Sequence, residues 1–326
     1  MQLKFATGVS AMRAWFSLSR STLANHSDRL NAINVFPVPD GDTGTNLYLT
    51  LASMDGSERA DGGDLGAVLG AAGRTMLDNA RGNSGTLIAV FFTGFAEPLA
   101  GHERLTATLL ERALERGRLR SYSALSDPVE GTMLTSMRAA AEAAENYLRS
   151  EGDDGSNRAV GESLGWVVTA VKDAVAGSEA ELQVLADAGV VDAGAVGFLL
   201  VMDCLAASVT GSEVDESLLE HLDGYAIQDE AIHQHLPQDT GFEVMCSIEL
   251  DPLGAASLRV ELDALGDSVI MSTVGATDAG YRWRVHVHAP DSRPVLEALG
   301  RFGTANNVVV TALGDRTDGD GDTGHA

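Results

Sequence analysis

Apolar residues recur at three- and four-residue spacing through the first two thirds of the chain, the period of helices with one buried face. Met12, Phe16, Leu23 and Leu30 mark a helix over 8–31, and Leu47, Leu51 and Met54 a second over 44–54. Leu65, Val68, Leu69, Ala72 and Met76 predict a third, and Ile88, Phe91, Phe92 and Phe95 a fourth. A further helix is predicted at about 102–116, followed by an extended segment over 122–128. Gly131-Thr132-Met133-Leu134-Thr135 opens a long alanine-rich helix ending near Ser150. Val160 to Val175, residues 179–186 and the run through Leu199, Leu200 and Cys204 complete the series. With no alternating strand pattern among these elements, an all-α domain is predicted over 1–210.

The pattern then changes. Residues 211–240 are acidic and lose periodicity, which predicts a linker with one short helix at 217–222. Phe242–Leu250 alternates as a strand, 254–266 is helical, and Ser268–Val274 and Tyr281–His288 are strand-like. Arg293–Arg301 is helical and Asn307–Leu313 a last strand. This βαββαβ order predicts a ferredoxin-like, split-βαβ domain over 241–315. The Gly/Asp-rich end, 316–326, is predicted to be disordered.

Composition narrows the function. The net charge of the 326-residue chain is −25, which argues against nucleic-acid backbones and anionic membrane surfaces as partners. No apolar run reads as a membrane span and no signal-peptide pattern is seen at the start, so a cytoplasmic location is expected. Cys204 and Cys246, the only cysteines, each lie in apolar surroundings and predict no disulfide. Lys4 and Lys172 are the only lysines and neither follows a glycine-rich loop, which excludes a P-loop enzyme. A bound triphosphate would have to be neutralised by metal ions, arginines and backbone amides.

One stretch supplies the metal chemistry: Asn34-Val35-Phe36-Pro37-Val38-Pro39-Asp40-Gly41-Asp42-Thr43-Gly44-Thr45-Asn46. The prolines hold the approach extended. Asp40 and Asp42, two apart around a glycine, can aim both carboxylates at one point, as hard divalent cations require. A helix starts immediately afterwards, and free N–H groups at its N-terminus suit phosphate. Carboxylates for Mg²⁺ beside a helix start describe a metal–nucleotide site. Asn83-Ser84-Gly85 offers a second set of amides at another helix start.

The long string resembles the signature of the ATP-binding subunit of bacterial fatty acid kinase, within the wider dihydroxyacetone kinase nucleotide-binding (DhaL-like) family. Arg81-Gly82-Asn83-Ser84-Gly85, Gly131-Thr132-Met133 and Asp192-Ala193-Gly194 resemble that family's other nucleotide loops, in the family's order. The resemblance implies an antiparallel eight-helix barrel binding ATP with Mg²⁺, as two ions, at one end. It implies metal ligation by Asp40, Asp42 and, through its amide oxygen, Asn34. Phosphate contacts are implied for Thr43, Gly44, Thr45, Asn46, Asn83, Ser84 and Gly85. Contacts to adenine and ribose are implied for Gly131, Thr132 and Met133, with Asp192 and Gly194 closing the site. His26 reads as a polar residue on a helix surface rather than a base. An ionised carboxylate acceptor needs no base, whereas a hydroxyl does, so the absence of an evident base favours a fatty acid.

In the second domain His286-Val287-His288 places two imidazoles on one strand face. In the fatty acid kinase resemblance such a pair joins a cysteine on another strand to hold zinc, and Gly241 occupies that cysteine's place here. Cys246 shares an apolar face with Phe242, Val244 and Ile248, so the histidines should point away from it, and no complete zinc set is read. The resemblance further implies a DegV-type fatty-acid-binding partner, although the family's longer members carry a third, C-terminal domain that this sequence does not continue into. A homodimer is also expected. Two other readings are a kinase component of the dihydroxyacetone kinase type, acting on a small hydroxyketone, and a non-catalytic nucleotide- or lipid-binding regulator.

Overall fold

A computed structural model describes residues 6–54, 64–225, 241–278 and 280–313. The expected tail at 316–326 lies outside them. The first domain contains α1 (Val9–Ala32), α2 (Thr43–Ala52), α3 (Leu65–Asp78), α4 (Gly82–Ala96), α5 (Ala107–Ala124), α6 (Met133–Glu151), α7 (Asn157–Glu181), α8 (Gln183–Ala188) and α9 (Ala193–Thr210). Helix starts follow sequence chemistry. Asp64, Thr106, Thr132, Ser156 and Asp192 each cap the following helix with a side-chain oxygen. Packing runs from α1 to α2, α4, α5, α6, α7 and α9, and α9 returns to α1, so the helices close on themselves. Trp15, Phe16, Phe91, Phe92, Phe95 and Phe198 form an aromatic centre, with Trp15 Nε1 donating to the Val201 carbonyl at 2.8 Å.

Several boundaries differ from expectation. Helix α5 continues to Ala124, burying Ser121 and Ala124, so the extended segment is shorter than 122–128. Helix α9 is long and apolar enough to cross a membrane by length and composition, contrary to the reading that no such run exists. Since 83% of that window is buried inside the protein, it is a core helix here. The linker prediction fails over its first half. Leu219, Leu222 and Tyr225 are buried in the helical core, and the short 3₁₀ turn is Glu216–Leu219. Tyr225 is held by His26, whose Nδ1 lies 2.7 Å from its hydroxyl, and by Arg29, which donates to its carbonyl. His26 is therefore buried in a packing contact rather than displayed on a helix surface. Residues 226–240 lie outside the described set.

The second domain contains β1 (Gly241–Leu250), α10 (Pro252–Asp263), β2 (Asp267–Thr277), β3 (Gly280–Ala289), α11 (Ser292–Phe302) and β4 (Ala305–Leu313). The antiparallel sheet has the order β2-β3-β1-β4, the split-βαβ arrangement. Its faces sort by alternation. Val244, Cys246, Ile248, Val285 and Val287 pack under α10 and α11 with Leu258, Leu262, Val295 and Leu299. On the other face Met245, Ile270 and Val274 join the core of the helical domain. Arg282 to Asp78 at 3.0 Å and Arg120 to Thr273 Oγ1 at 3.1 Å add polar contacts between the domains.

Burial raises the Cys204 and Cys246 thiols to about 11. Both stay protonated through neutral pH, and the thiolate is the reactive form. Native protein at pH 8 is expected to leave both cysteines unmodified by a thiol reagent, with two equivalents reacting after unfolding. A fast native equivalent would contradict the burial.

Candidate active site

A cavity of about 750 Å³ lies where the acidic loop, the start of α4, the start of α6 and the second domain meet. Asn34, Asp40, Asp42, Thr43, Asn83, Ser84, Thr132, Met133, Asp192 and Gly194 line it, so most residues singled out by sequence converge on one space. Gly44, Thr45, Asn46, Gly85 and Gly131 do not line it. They shape it from behind. A Cβ on Gly44 would run into the Ser27 carbonyl, so the glycine allows α2 to approach α1. Gly82 adopts φ +59° against Asn46, and a side chain there would collide with the Asn46 amide.

The two helix starts divide the work differently from expectation. In α2 the amides of Gly44 and Thr45 donate to Asn31 Oδ1 at 2.8 and 3.1 Å, so they are already satisfied. Asn31, which sequence reasoning missed, caps this helix from the last turn of α1. Helix α4 begins on Arg81, which makes no side-chain cap, and its Asn83 and Ser84 face the cavity. The phosphate-suited amides are therefore those of α4. Asn34 also has a structural part. Its oxygen accepts the Thr43 hydroxyl, and its amide nitrogen donates to the Val38 carbonyl at 2.7 Å and to Asp40 Oδ1 at 2.9 Å. These bonds make it an anchor of the loop. Asp192 is similarly committed: its Oδ1 caps α9 by accepting the Ala195 amide at 2.7 Å.

Asp40 carries the strongest electrostatic signature. Burial, and then the adjacent Asp42 carboxylate, raise its carboxyl to about 8. Two carboxylates turned toward each other in a partly desolvated loop are a site short of positive charge.

The second domain contributes what was not foreseen. Glu243 and His288 line the same cavity, and His286 stands beside them. Glu243 faces His288 across the β1–β3 pair, and its Oε1 lies 3.4 Å from His286 Nδ1. One ligand atom from each of Glu243, His286 and His288 can be chosen so that all lie within 4.8 Å of one another. Glu243 is raised to about 7, first by burial and then by Asp42, and it accepts the Gly82 amide at the start of α4. His286 is fully buried with no hydrogen-bond partner on either ring nitrogen among the described residues, and burial lowers its pKa well below the usual value. A signal existed in the sequence: Glu243 alternates with Phe242 and Val244 and so had to share the histidine face. As expected, Cys246 lies on the other face, in the apolar cluster. The expectation that no base stands near the loop is corrected, because Glu243 of β1, raised to about 7, lines the same cavity.

The DAK2 domain matches residues 37–207, and the FakA-like middle domain of fatty acid kinase matches residues 239–319. Protein YloV of Bacillus subtilis (strain 168) is 31% identical over 301 residues, covering 86% of this chain and 51% of that protein. An uncharacterized protein of Staphylococcus aureus (strain bovine RF122 / ET3-1) is 33% identical over 215 residues, covering 65% of this chain and 37% of that protein. The chain thus spans about half, or less, of the length of these relatives. The crystal structure of the dihydroxyacetone kinase of C. freundii aligns over 63% of this chain and 36% of that one, with TM-score 0.42 and 21% identity. The chain belongs to the DAK2 domain family, with a FakA-like middle domain of the fatty acid kinase type following the helical one.

Proposed function

We propose that the cavity binds ATP with Mg²⁺ and that the chain is the nucleotide-binding part of a phosphotransferase. The observation that carries this reading is the Asp40–Asp42 pair, desolvated and mutually repelling, in one cavity with Asn83 and Ser84 at the start of α4. These two carboxylates fit the oxygen donors that magnesium takes, and they would hold the ions. Bound there, magnesium would neutralise the phosphate charge that a site without lysine cannot. The amides of Asn83 and Ser84 would orient the phosphates, and Thr132 and Met133, beside Val129 and Leu134, would take the base. Phosphoryl transfer depends mainly on such positioning and charge neutralisation.

The acceptor would enter from the side of Glu243 and His288. We read it as a fatty acid carboxylate presented by a DegV-type partner. The support is the match of residues 239–319 to the fatty acid kinase middle domain, and no longer the lack of a base. Glu243 favours a second reading, one in which it ligates no ion, since its carboxylate, raised toward neutrality, could accept the proton of a hydroxyketone. Acyl phosphate formation with a lipid-loaded partner, against turnover of dihydroxyacetone with its binding subunit, separates the two. Either reaction would run in the cytoplasm, where ATP is supplied. The three groups Glu243, His286 and His288 fit a zinc-type site in donor chemistry and spacing, and we propose that they hold one such ion.

Calorimetry tests the nucleotide reading directly. ATP is expected to bind in millimolar Mg²⁺ and to lose at least roughly a hundredfold in affinity in EDTA, since no lysine replaces the cation. Equal affinity in both buffers would remove the site assignment.

A further inference from the structure

The far wall of the cavity is not self-supporting. Helix α5 ends at Ala124, and the chain then runs through Leu125, Ser126, Asp127 and Val129, which line the cavity, to the start of α6. The last carbonyls of a helix lack intrahelical partners. Here they are satisfied by the other domain. Arg259 of α10 donates through Nη2 to Ala124 O at 3.1 Å, and through Nη1 to Ser123 O and Leu125 O, each at 3.3 Å. Its Nη2 also reaches Met271 O in β2 at 3.1 Å, so one guanidinium ties the end of α5 to the sheet. The lip itself is strand-paired to β2: Leu125 bridges Ile270, and the Ser126 amide donates to Val269 O at 3.1 Å.

We propose that Arg259 is the positioning residue through which the second domain shapes the base-side wall of the nucleotide cavity, so that nucleotide affinity is set across the domain boundary. The inference rests on the nucleotide reading above and adds a determinant of affinity that touches no ligand. The cation suits its place on two grounds. It meets the negative end of the α5 dipole, and its planar fork spans several carbonyls that a single ammonium could not. Removing it leaves three carbonyls at the end of α5 without this donor and frees the lip to shift. A displacement of about 1 Å at a positioning element can lower function by one or two orders of magnitude.

The test uses the full chain with magnesium–ADP as probe, titrated by calorimetry against the parent, Arg259→Ala, Arg259→Lys and Arg282→Ala. Arg282→Ala breaks the Asp78 contact between the domains without touching the lip. Arg259→Ala is expected to weaken binding by roughly tenfold, Arg259→Lys by less, and Arg282→Ala by under twofold. Hydrogen exchange at the Ser126 amide should accelerate in Arg259→Ala and not in Arg282→Ala. Should the alanine variant fail to fold, Arg259→Gln is read in the same way. Binding by Arg259→Ala within twofold of the parent overturns the proposal while leaving the nucleotide reading intact. Equal losses in Arg259→Ala and Arg282→Ala overturn it too, because they show general loosening of the domains. A parent chain that binds no magnesium–ADP brings down both.

Discussion

Asp40→Asn is expected to make the metal-free chain more stable and at the same time to abolish its response to magnesium. The sign follows from the raised carboxyl. A group that folds preferentially protonated adds stability below its unfolded value of 3.8, and that contribution is lost progressively as pH rises toward about 8. At neutral pH folding must therefore return a proton to a carboxyl that the unfolded chain leaves ionised, which opposes folding by up to roughly 4 kcal/mol as an upper bound for a group that is partly exposed. Asparagine keeps the shape and removes both the desolvated charge and the repulsion from Asp42. In EDTA the variant should melt several degrees above the parent. With ATP and Mg²⁺ the parent should gain stability and the variant little, and magnesium-dependent turnover should fall by at least roughly a hundredfold. Asp42→Asn should share the functional loss, because it removes the other carboxylate from the same point. A variant less stable than the parent in EDTA, yet still raised by magnesium–ATP, would show that the pair is a structural turn.

The opposite effects of Asp40→Asn on stability and function illustrate what sequence reveals about such a site. Asp40 and Asp42 stood out because the prolines before them and the helix start after them exceed what a plain Asp-Gly turn needs. The helices were legible too, since Met12, Phe16, Leu23 and Leu30 repeat with the period of a buried face. Alternation likewise placed Cys246 with Val244 and Ile248, away from the histidines. Contacts between distant segments were not legible. Nothing near Asn31 announces that its side chain will cap α2, thirteen residues on, and so occupy the Gly44 amide. Polar character misled at 211–225, where an acidic stretch hides Leu219, Leu222 and Tyr225, whose burial outweighs the charge around them. Glu243 was readable as a member of the histidine face. Its approach to Asp42 and Gly82 depends on how two domains pack, which periodicity within either one does not encode.

That packing leads to the second large expected effect, the loss of a metal ion on removal of His286. An imidazole with no exposure and no hydrogen-bond partner on either nitrogen is costly in an apolar interior. Donors about 2 Å from a common ion lie roughly 3–4 Å from one another, which matches the 3.4 Å between His286 Nδ1 and Glu243 Oε1. Two histidines and one carboxylate leave a fourth position open, the arrangement of catalytic rather than purely structural zinc sites. Metal analysis of protein expressed with added zinc is expected to find close to one equivalent. His286→Ala and His288→Ala should each lose most of it, and Glu243→Ala should weaken binding by at least roughly tenfold. Cys246→Ser should retain the full amount, because its side chain lies under α10 and α11 on the other face of the sheet. Glu243→Gln is the sharpest variant. It keeps the side-chain length and can still accept the Gly82 amide, but it offers the metal a neutral oxygen. Metal loss in Glu243→Gln with a melting temperature in EDTA no lower than the parent's would assign Glu243 to the ion. Full occupancy in His286→Ala, or loss in Cys246→Ser alone, would instead place the metal elsewhere and leave Glu243 as a carboxyl facing the phosphate end of the cavity.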